Sequence, residues 1–249
     1  MTLWEKMLVN IEKEFEEKEN FLRHKMISRT ISPNHRNVIQ KFLNYIKSDL
    51  NFSVNILPRV VDSPIGGVTR IEGYSQGTVL HCFYLMMMLK HLKLKITDFD
   101  HITDIGGGYG NFYRMAKNLG YKGTFDIVDF PIMHKIQEYY LTELGLDLPN
   151  LIELEKINPK GKSILFGFHS INEMPISDRD FLEKKYPMYD NIMIVYNHKF
   201  PVYGHNFDEI DNREYFAKLK DRLSDTFKVS IINHELKNNA KILIGSKRI

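Results

Sequence analysis

Cysteine is nearly absent, with Cys82 alone among 249 residues. That excludes an intrachain disulfide and a cysteine-based zinc site. Cys82 sits in an apolar helical run, which reads as a buried inert thiol rather than a nucleophile. Charge of one sign is also scarce: 34 basic and 31 acidic residues leave a net charge of +3. No basic stripe of the kind that tracks a nucleic-acid backbone is present. The compact cluster from Lys90 to Lys95 reads as a solvated helix end, so no nucleic-acid partner is expected. Long apolar runs are missing too. The longest, Val79 to Leu89, contains His81 and falls short of the roughly 20 residues that span a bilayer. The chain opens Met-Thr-Leu-Trp-Glu-Lys and turns charged at once, unlike a secretory leader. A cytoplasmic protein is the expectation.

A chain of this length can bury one sizeable core with an appended helical segment. Leu3, Trp4, Met7, Leu8, Ile11, Phe15 and Leu22 have the spacing of an amphipathic helix over residues 3–27. Ser32-Pro33 looks like an N-cap followed by a first-turn proline, opening a second helix with Val38, Ile39, Phe42, Leu43 and Ile46 on its apolar face. These helices read as a cap or oligomerisation element without chemistry of their own. Residues 51–77 lack periodicity and carry Pro58, Pro64, Gly66, Gly67, Gly73 and Gly77; a long irregular stretch like this is more often functional than idle. We therefore divide the chain into a helical cap with a glycine-rich lead-in, 1–77, and a core domain, 78–249, that begins with a helix to about Leu92.

From there strands and helices alternate, which predicts a doubly wound α/β sheet. Strands are expected at 101–105, 124–129, 151–156, 163–169 and 191–197, and helices at 111–119, 132–144, 178–185 and 213–223. Two further strands, 227–235 and 240–246, are joined through Lys237-Asn238-Asn239, a hairpin turn. The prediction is a mostly parallel, seven-stranded sheet with an N-terminal helical extension.

The chemistry starts at Ile102-Thr-Asp-Ile-Gly-Gly-Gly-Tyr-Gly110. A buried strand ends near Asp104, and Gly106, Gly108 and Gly110 form a G-x-G-x-G turn before a helix. Such a turn offers backbone N–H groups and a helix N-terminus to a ligand at the strand ends. A dinucleotide fingerprint counted from Gly106 needs glycine at 111, where Asn111 stands, and no Gly-Lys-Ser/Thr of a P-loop follows. Asp129 ends the second strand 25 positions after Asp104, placed to accept hydrogen bonds from ribose hydroxyls. Read structurally instead, it is a capping residue before Pro131. The acid alone does not separate a sulfonium cofactor from a nicotinamide; with the glycine spacing it favours S-adenosylmethionine. Phe130 could pack on the adenine, and Phe168 lines the same strand ends. Asp104 is placed to organise the glycine turn or the amino group of the methionine moiety. For the methionine carboxylate, Arg70, Ser75 and Gln76 are candidates, with Ser75 preferred.

The fourth strand ends Phe168-His169-Ser170-Ile171-Asn172-Glu173-Met174-Pro175. It lacks the Asn/Asp-Pro-Pro-Tyr/Phe that methylases of base amines and glutamine amides carry at this edge. It offers His169 and Glu173, groups suited to taking a proton from a hydroxyl, a poor nucleophile that needs a base or a metal. His169 is preferred as base, with Glu173 to orient it or bind the acceptor. The bland reading leaves His169 on a pocket wall and Glu173 capping a helix. His198, after the fifth strand, and His205, in the following loop, compete for the base role. His81 reads as a satisfied core histidine. A divalent metal could assist, but the acids show no ligand spacing and no metal site is predicted.

These segments together resemble the class I S-adenosylmethionine-dependent methyltransferases, and within them the sugar O-methyltransferases found with surface-polysaccharide biosynthesis. The resemblance covers about residues 58–199. It rests on Asp104 to Gly110 with Asn111-Phe112, on Asp129-Phe130-Pro131 leading to Gln137-Glu138-Tyr139-Tyr140-Leu141, on Ser170 through Glu173-Met174, and on His81-Cys82-Phe83-Tyr84. Where the family tends to have Asp or Glu and then a serine–aromatic pair before Glu-Met, this chain has His169-Ser170-Ile171-Asn172. The resemblance implies methyl transfer to a sugar hydroxyl of a glycan or glycan precursor, releasing S-adenosylhomocysteine, with a glycosyltransferase as a conceivable partner. The alternatives are O-methylation of another small hydroxylated metabolite, a non-catalytic cofactor-binding module, and, more distantly, an NAD(P)-dependent reductase.

Overall fold

A computed structural model describes residues 3–31, 33, 35–201 and 209–248. The N-terminal periodicity folds as α1 (Leu3–Phe15) and α2 (Lys25–Thr30), separated by a short 3-10 turn, instead of one helix. Asn20 in the left-handed region ends the run (φ 53°). The Glu14 carboxylate then accepts from the backbone N–H groups of Met26 (2.8 Å) and Ile27 (3.1 Å), the unpaired donors at the start of α2. Helix α3 (Arg36–Lys47) begins after His35, so Pro33 lies ahead of the helix and not in its first turn; Ser32 is outside the described residues. Helix α4 spans Gln76–Leu92.

The core alternates as expected: β1 (His101–Ile105), α5 (Asn111–Asn118), β2 (Thr124–Val128), α6 (Pro131–Glu143), β3 (Asn150–Ile152), β4 (Ser163–Phe168), α7 (Ile176–Glu183) and β5 (Asn191–Asn197). A short antiparallel pair not anticipated from the sequence, β6 (Lys199–Pro201) with β7 (Glu209–Asp211), precedes α8 (Asn212–Leu223), β8 (Phe227–Asn233) and β9 (Ala240–Lys247). The third strand is three residues long because the chain turns into a 3-10 segment at Leu154–Lys156.

The main sheet has seven strands in the order β3-β2-β1-β4-β5-β9-β8. The first five are parallel, and β9 runs antiparallel between β5 and β8. Central strands β1 and β5 are buried along nearly their whole length, as a sheet covered on both faces requires. The strand order reverses between β1 and β4, where open α/β sheets bind ligands beyond the carboxyl ends of the strands. Ile11, Phe42, Phe83 and Phe112 belong to one continuous apolar cluster. Edge-to-face contacts of Phe42 with Phe83 (5.3 Å) and Phe15 with Tyr139 of α6 (5.7 Å) seat the N-terminal helices on the sheet layer. Each fully buried ring contributes about 1.5–3 kcal/mol by leaving water.

Candidate functional site

A cavity of about 440 Å³ opens at the carboxyl ends of β1, β2 and β4. Its floor is the β1–α5 turn. Gly106 and Gly108 adopt left-handed φ of 75° and 58°, conformations open to glycine at little cost. A Cβ on Gly106 would stand 2.4 Å from Cβ of Ser170, whereas at Gly108 the nearest atom would be 3.9 Å away. The first glycine lets the two strand ends close together, and the second leaves backbone bare to the cavity. Gly110 (φ 87°) starts α5 against Leu141 and is not part of the cavity wall.

Asp104 and Asp129 both line the cavity. The Asp104 carboxyl is 2% exposed and receives no side-chain hydrogen bond from the described residues. Burial, and then the charge of Asp129, push it up to about 8. Asp129 accepts from the N–H of Phe130 (2.9 Å) and from Nε2 of Gln137 (3.1 Å), yet burial still raises it to about 7. The same Gln137 nitrogen donates to the carbonyl of Gly108 (2.9 Å), tying acid and glycine turn into one unit. Phe130 is 40% exposed, its ring stacked with Trp4 at 6.4 Å.

Across the cavity stand Phe168, His169, Ser170 and Glu173. Phe168 stacks on Tyr84 of α4 at 4.9 Å. His169 turns the chain at φ 69°, a strained conformation for a residue with a side chain. Its Nε2 meets the Tyr84 hydroxyl (2.9 Å) and accepts from Nζ of Lys237 (3.4 Å). The ring proton therefore sits on Nδ1, which is buried without a partner. Burial, with Lys237, His234 and His81 adding, holds the imidazole well below its usual range. The imidazole of His169 is thus held neutral on the cavity wall, with Nε2 engaged by Tyr84 and Lys237. Glu173 differs: Oε2 accepts from Nε1 of Trp4 (2.8 Å), Oε1 has no protein partner among the described residues, and burial raises the group to about 7.

Other sequence candidates lie elsewhere. Ser75 caps α4, its hydroxyl accepting from the N–H of Thr78 (3.2 Å), and is 2% exposed and not part of the cavity lining. Arg70 donates to the Asp62 carbonyl, and Gln76 accepts from the N–H of His35. His198 does not reach the cavity; its Nε2 is buried and unpartnered. His205 is outside the described residues. His81, expected in the core, lines the cavity between Phe112 and Phe168. Its Nδ1 accepts from Asn111 (3.3 Å), leaving Nε2 as a donor on that wall. Residues not foreseen as site residues are Trp4, Thr30 and Ile31 of the N-terminal segment, with Tyr84, Glu153 and Asp178. Among the described residues no three His, Cys, Asp or Glu side chains are grouped to hold a metal, and no helix is long and apolar enough to cross a membrane.

The turn-and-acid geometry and the strand order give the chain the fold of class I S-adenosylmethionine-dependent methyltransferases. No protein-family model matches the chain, and no curated protein matches it in sequence. Solved structures do. The Pnkp1/Rnl/Hen1 RNA repair complex superposes with a TM-score of 0.50 and 15% identity, covering 66% of this chain and 40% of that one. A SAM-dependent methyltransferase from Aquifex aeolicus gives 0.45 and 16%, over 59% and 82% of the two chains. The mitomycin 7-O-methyltransferase MmcR gives 0.46 and 11%, over 90% and 70%. At these identities the likeness is one of fold.

Proposed function

We propose that the protein is an S-adenosylmethionine-dependent O-methyltransferase whose acceptor is a sugar hydroxyl of a glycan or glycan precursor. One observation carries the reading: the bare glycine turn and two buried acids share a single cavity with an open carboxylate on its opposite wall. The cavity suits the cofactor's parts. The Gly106–Gly108 backbone can approach it closely, Asp129 suits the ribose hydroxyls, and Asp104 suits the ammonium of the methionine moiety. Phe130 offers a ring to the adenine, and Nε2–H of His81 is the donor we assign to the methionine carboxylate in place of Ser75. When bound, the cofactor supplies a methyl group on a sulfonium, an electrophile whose leaving group is neutral S-adenosylhomocysteine.

Glu173 is the base in this reading and His169 a wall residue. As the acceptor oxygen gains its bond to the methyl carbon, its O–H bond breaks and the proton passes to Oε1 of Glu173. A carboxylate raised to about 7 is matched to that task near neutral pH. Positioning supplies most of the remaining acceleration. The sugar assignment is supported by what surrounds Glu173. Glu153 and Asp178 add acceptors for hydroxyl groups, Trp4 adds aromatic surface, and no lysine or arginine among the described residues lines the cavity to hold phosphates.

Isothermal titration with S-adenosylhomocysteine tests the cofactor, and its release from S-adenosylmethionine with a panel of methyl glycosides tests the acceptor. Wild type should bind the nucleoside and Asp129→Ala should lose at least tenfold in affinity, since a ribose-type contact through a charged acceptor is worth about 1.5–3 kcal/mol. Glu173→Gln should bind it but turn over at least a hundredfold more slowly. Binding of NAD in its place would overturn the reading.

A further inference from the structure

The N-terminal helix contributes to the cavity through Trp4, 169 positions before its partner Glu173. Its indole makes two contacts there. The ring lies over Phe130 (6.4 Å between centroids, 30° between planes), and Nε1–H donates to Oε2 of Glu173 at 2.8 Å. A buried tryptophan N–H generally finds some acceptor, but this one takes one oxygen of a cavity carboxylate and leaves the other open. Helix α1 is fixed independently of that contact, by Phe15 against Phe21 (5.5 Å) and Tyr139 (5.7 Å) and by Glu14 capping α2. The indole is therefore presented from a rigid element, which is how a group held to a narrow geometry is best supported.

We infer that Trp4 is a positioning residue for methyl transfer: it fixes the Glu173 carboxylate so that Oε1 faces the acceptor hydroxyl, and its indole walls the acceptor's subsite. The inference rests on the reading of Glu173 as base. Locking one carboxylate oxygen removes rotation about the last side-chain bond and leaves a single lone-pair edge for the proton. It also favours the charged carboxylate, so losing the N–H raises the proton affinity of Glu173. The other ionisable groups on the wall are Asp104, Asp129, Glu153, Asp178, His81, His169, Tyr84 and Tyr109, and Glu5 neighbours Trp4 on α1.

Trp4 is the chain's one tryptophan, so its emission reports this contact with no acceptor needed. Emission of the full chain, titrated from pH 5.5 to 8.5, should change sigmoidally near pH 7 in wild type. The transition should vanish in Glu173→Gln and persist in His169→Ala. Trp4→Phe keeps an aromatic ring against Phe130 without the N–H. It should bind S-adenosylhomocysteine within threefold of wild type, turn over the best methyl glycoside about tenfold more slowly, and shift the acid limb of its kcat profile upward by about half a pH unit or more. A wild-type transition that survives in Glu173→Gln, or a Trp4→Phe variant with wild-type kcat and acid limb, overturns the inference. If the nucleoside fails to bind wild type at all, the functional reading falls first.

Discussion

Acid should loosen the cofactor's grip steeply, because the two acids on its wall resist ionisation in the free protein. Burial holds Asp104 near 8 and Asp129 near 7. A ligand that brings an ammonium and ribose hydroxyls favours both carboxylates in their charged form, so binding expels the protons. The free protein then carries more protons than the complex, and affinity must rise with pH until the free values are passed. If the ligand pulls Asp104 below 6, its ionised fraction in the free protein sets the ratio. Between pH 8 and pH 6 the affinity falls about 50-fold, or about 2 kcal/mol. Asp129, treated the same way, adds up to about tenfold. The assay is titration calorimetry with S-adenosylhomocysteine at pH 6, 7 and 8, in two buffers of different ionisation enthalpy. Heats at pH 7 should differ between the buffers by the protons released. Asp104→Asn should bind more weakly at pH 8 and lose most of the pH dependence. A wild-type Kd that stays within twofold from pH 6 to 8, with no buffer effect, would refute the argument.

Two further substitutions separate scaffold from site. Arg114 donates to Oδ1 of Asp62 (3.1 Å), a pair with almost no exposed side chain, and also to the carbonyls of Val60 and Val61. Arg114→Met strands the Asp62 charge and should cost about 3–5 kcal/mol in urea unfolding, with Asp62→Asn in the same chain recovering part of it. Gly106→Ala and Gly110→Ala both force a side chain into the left-handed region, each costing about 1–3 kcal/mol. Only Gly106 borders the cavity, so its alanine variant should also lose more than tenfold in nucleoside affinity, measured on the folded fraction, while Gly110→Ala keeps it.

The cavity wall that carries the glycine turn and the two acids was readable because it is local. Strand, glycine turn and helix succeed one another from His101 to Asn118, and the next strand puts Asp129 beside them through the parallel register of Asp104 with Ile127. Short-range rules of strand, turn and cap are sufficient there. Ser75 shows what such a rule leaves out. A serine ahead of a helix has orphan N–H groups to satisfy, and its hydroxyl here caps α4 and does not line the cavity. At His169 the limit is different: the sequence places it at the end of β4 but does not show the Lys237 and Tyr84 groups that meet Nε2 from a hairpin and a helix far along the chain. His81 was missed in the opposite sense. An apolar helix suggested a core position, yet one ring edge of this residue borders a cavity.

The two walls of the cavity thus have different origins, and that difference bears on specificity. Every group assigned to the ribose, the adenine and the methionine ammonium lies between Asp104 and Phe130, within two βα units. The wall we propose for the acceptor is assembled from Trp4, Thr30 and Ile31 of the N-terminal segment, Tyr84 of α4, and residues between His169 and Asp178. The helical extension is therefore a structural part of the cavity, packed through Phe15 and Tyr139 onto the same helix, α6, whose Gln137 holds Asp129 and Gly108. Residues 4–31 meet the nucleoside wall directly, through Ile31 near Gly108 and Trp4 over Phe130, while the glycine turn and its acids come from the strand ends of the core. Selection for a different hydroxyl compound would act first on those N-terminal positions and on residues 169–178, and last on the strand ends that hold the nucleoside.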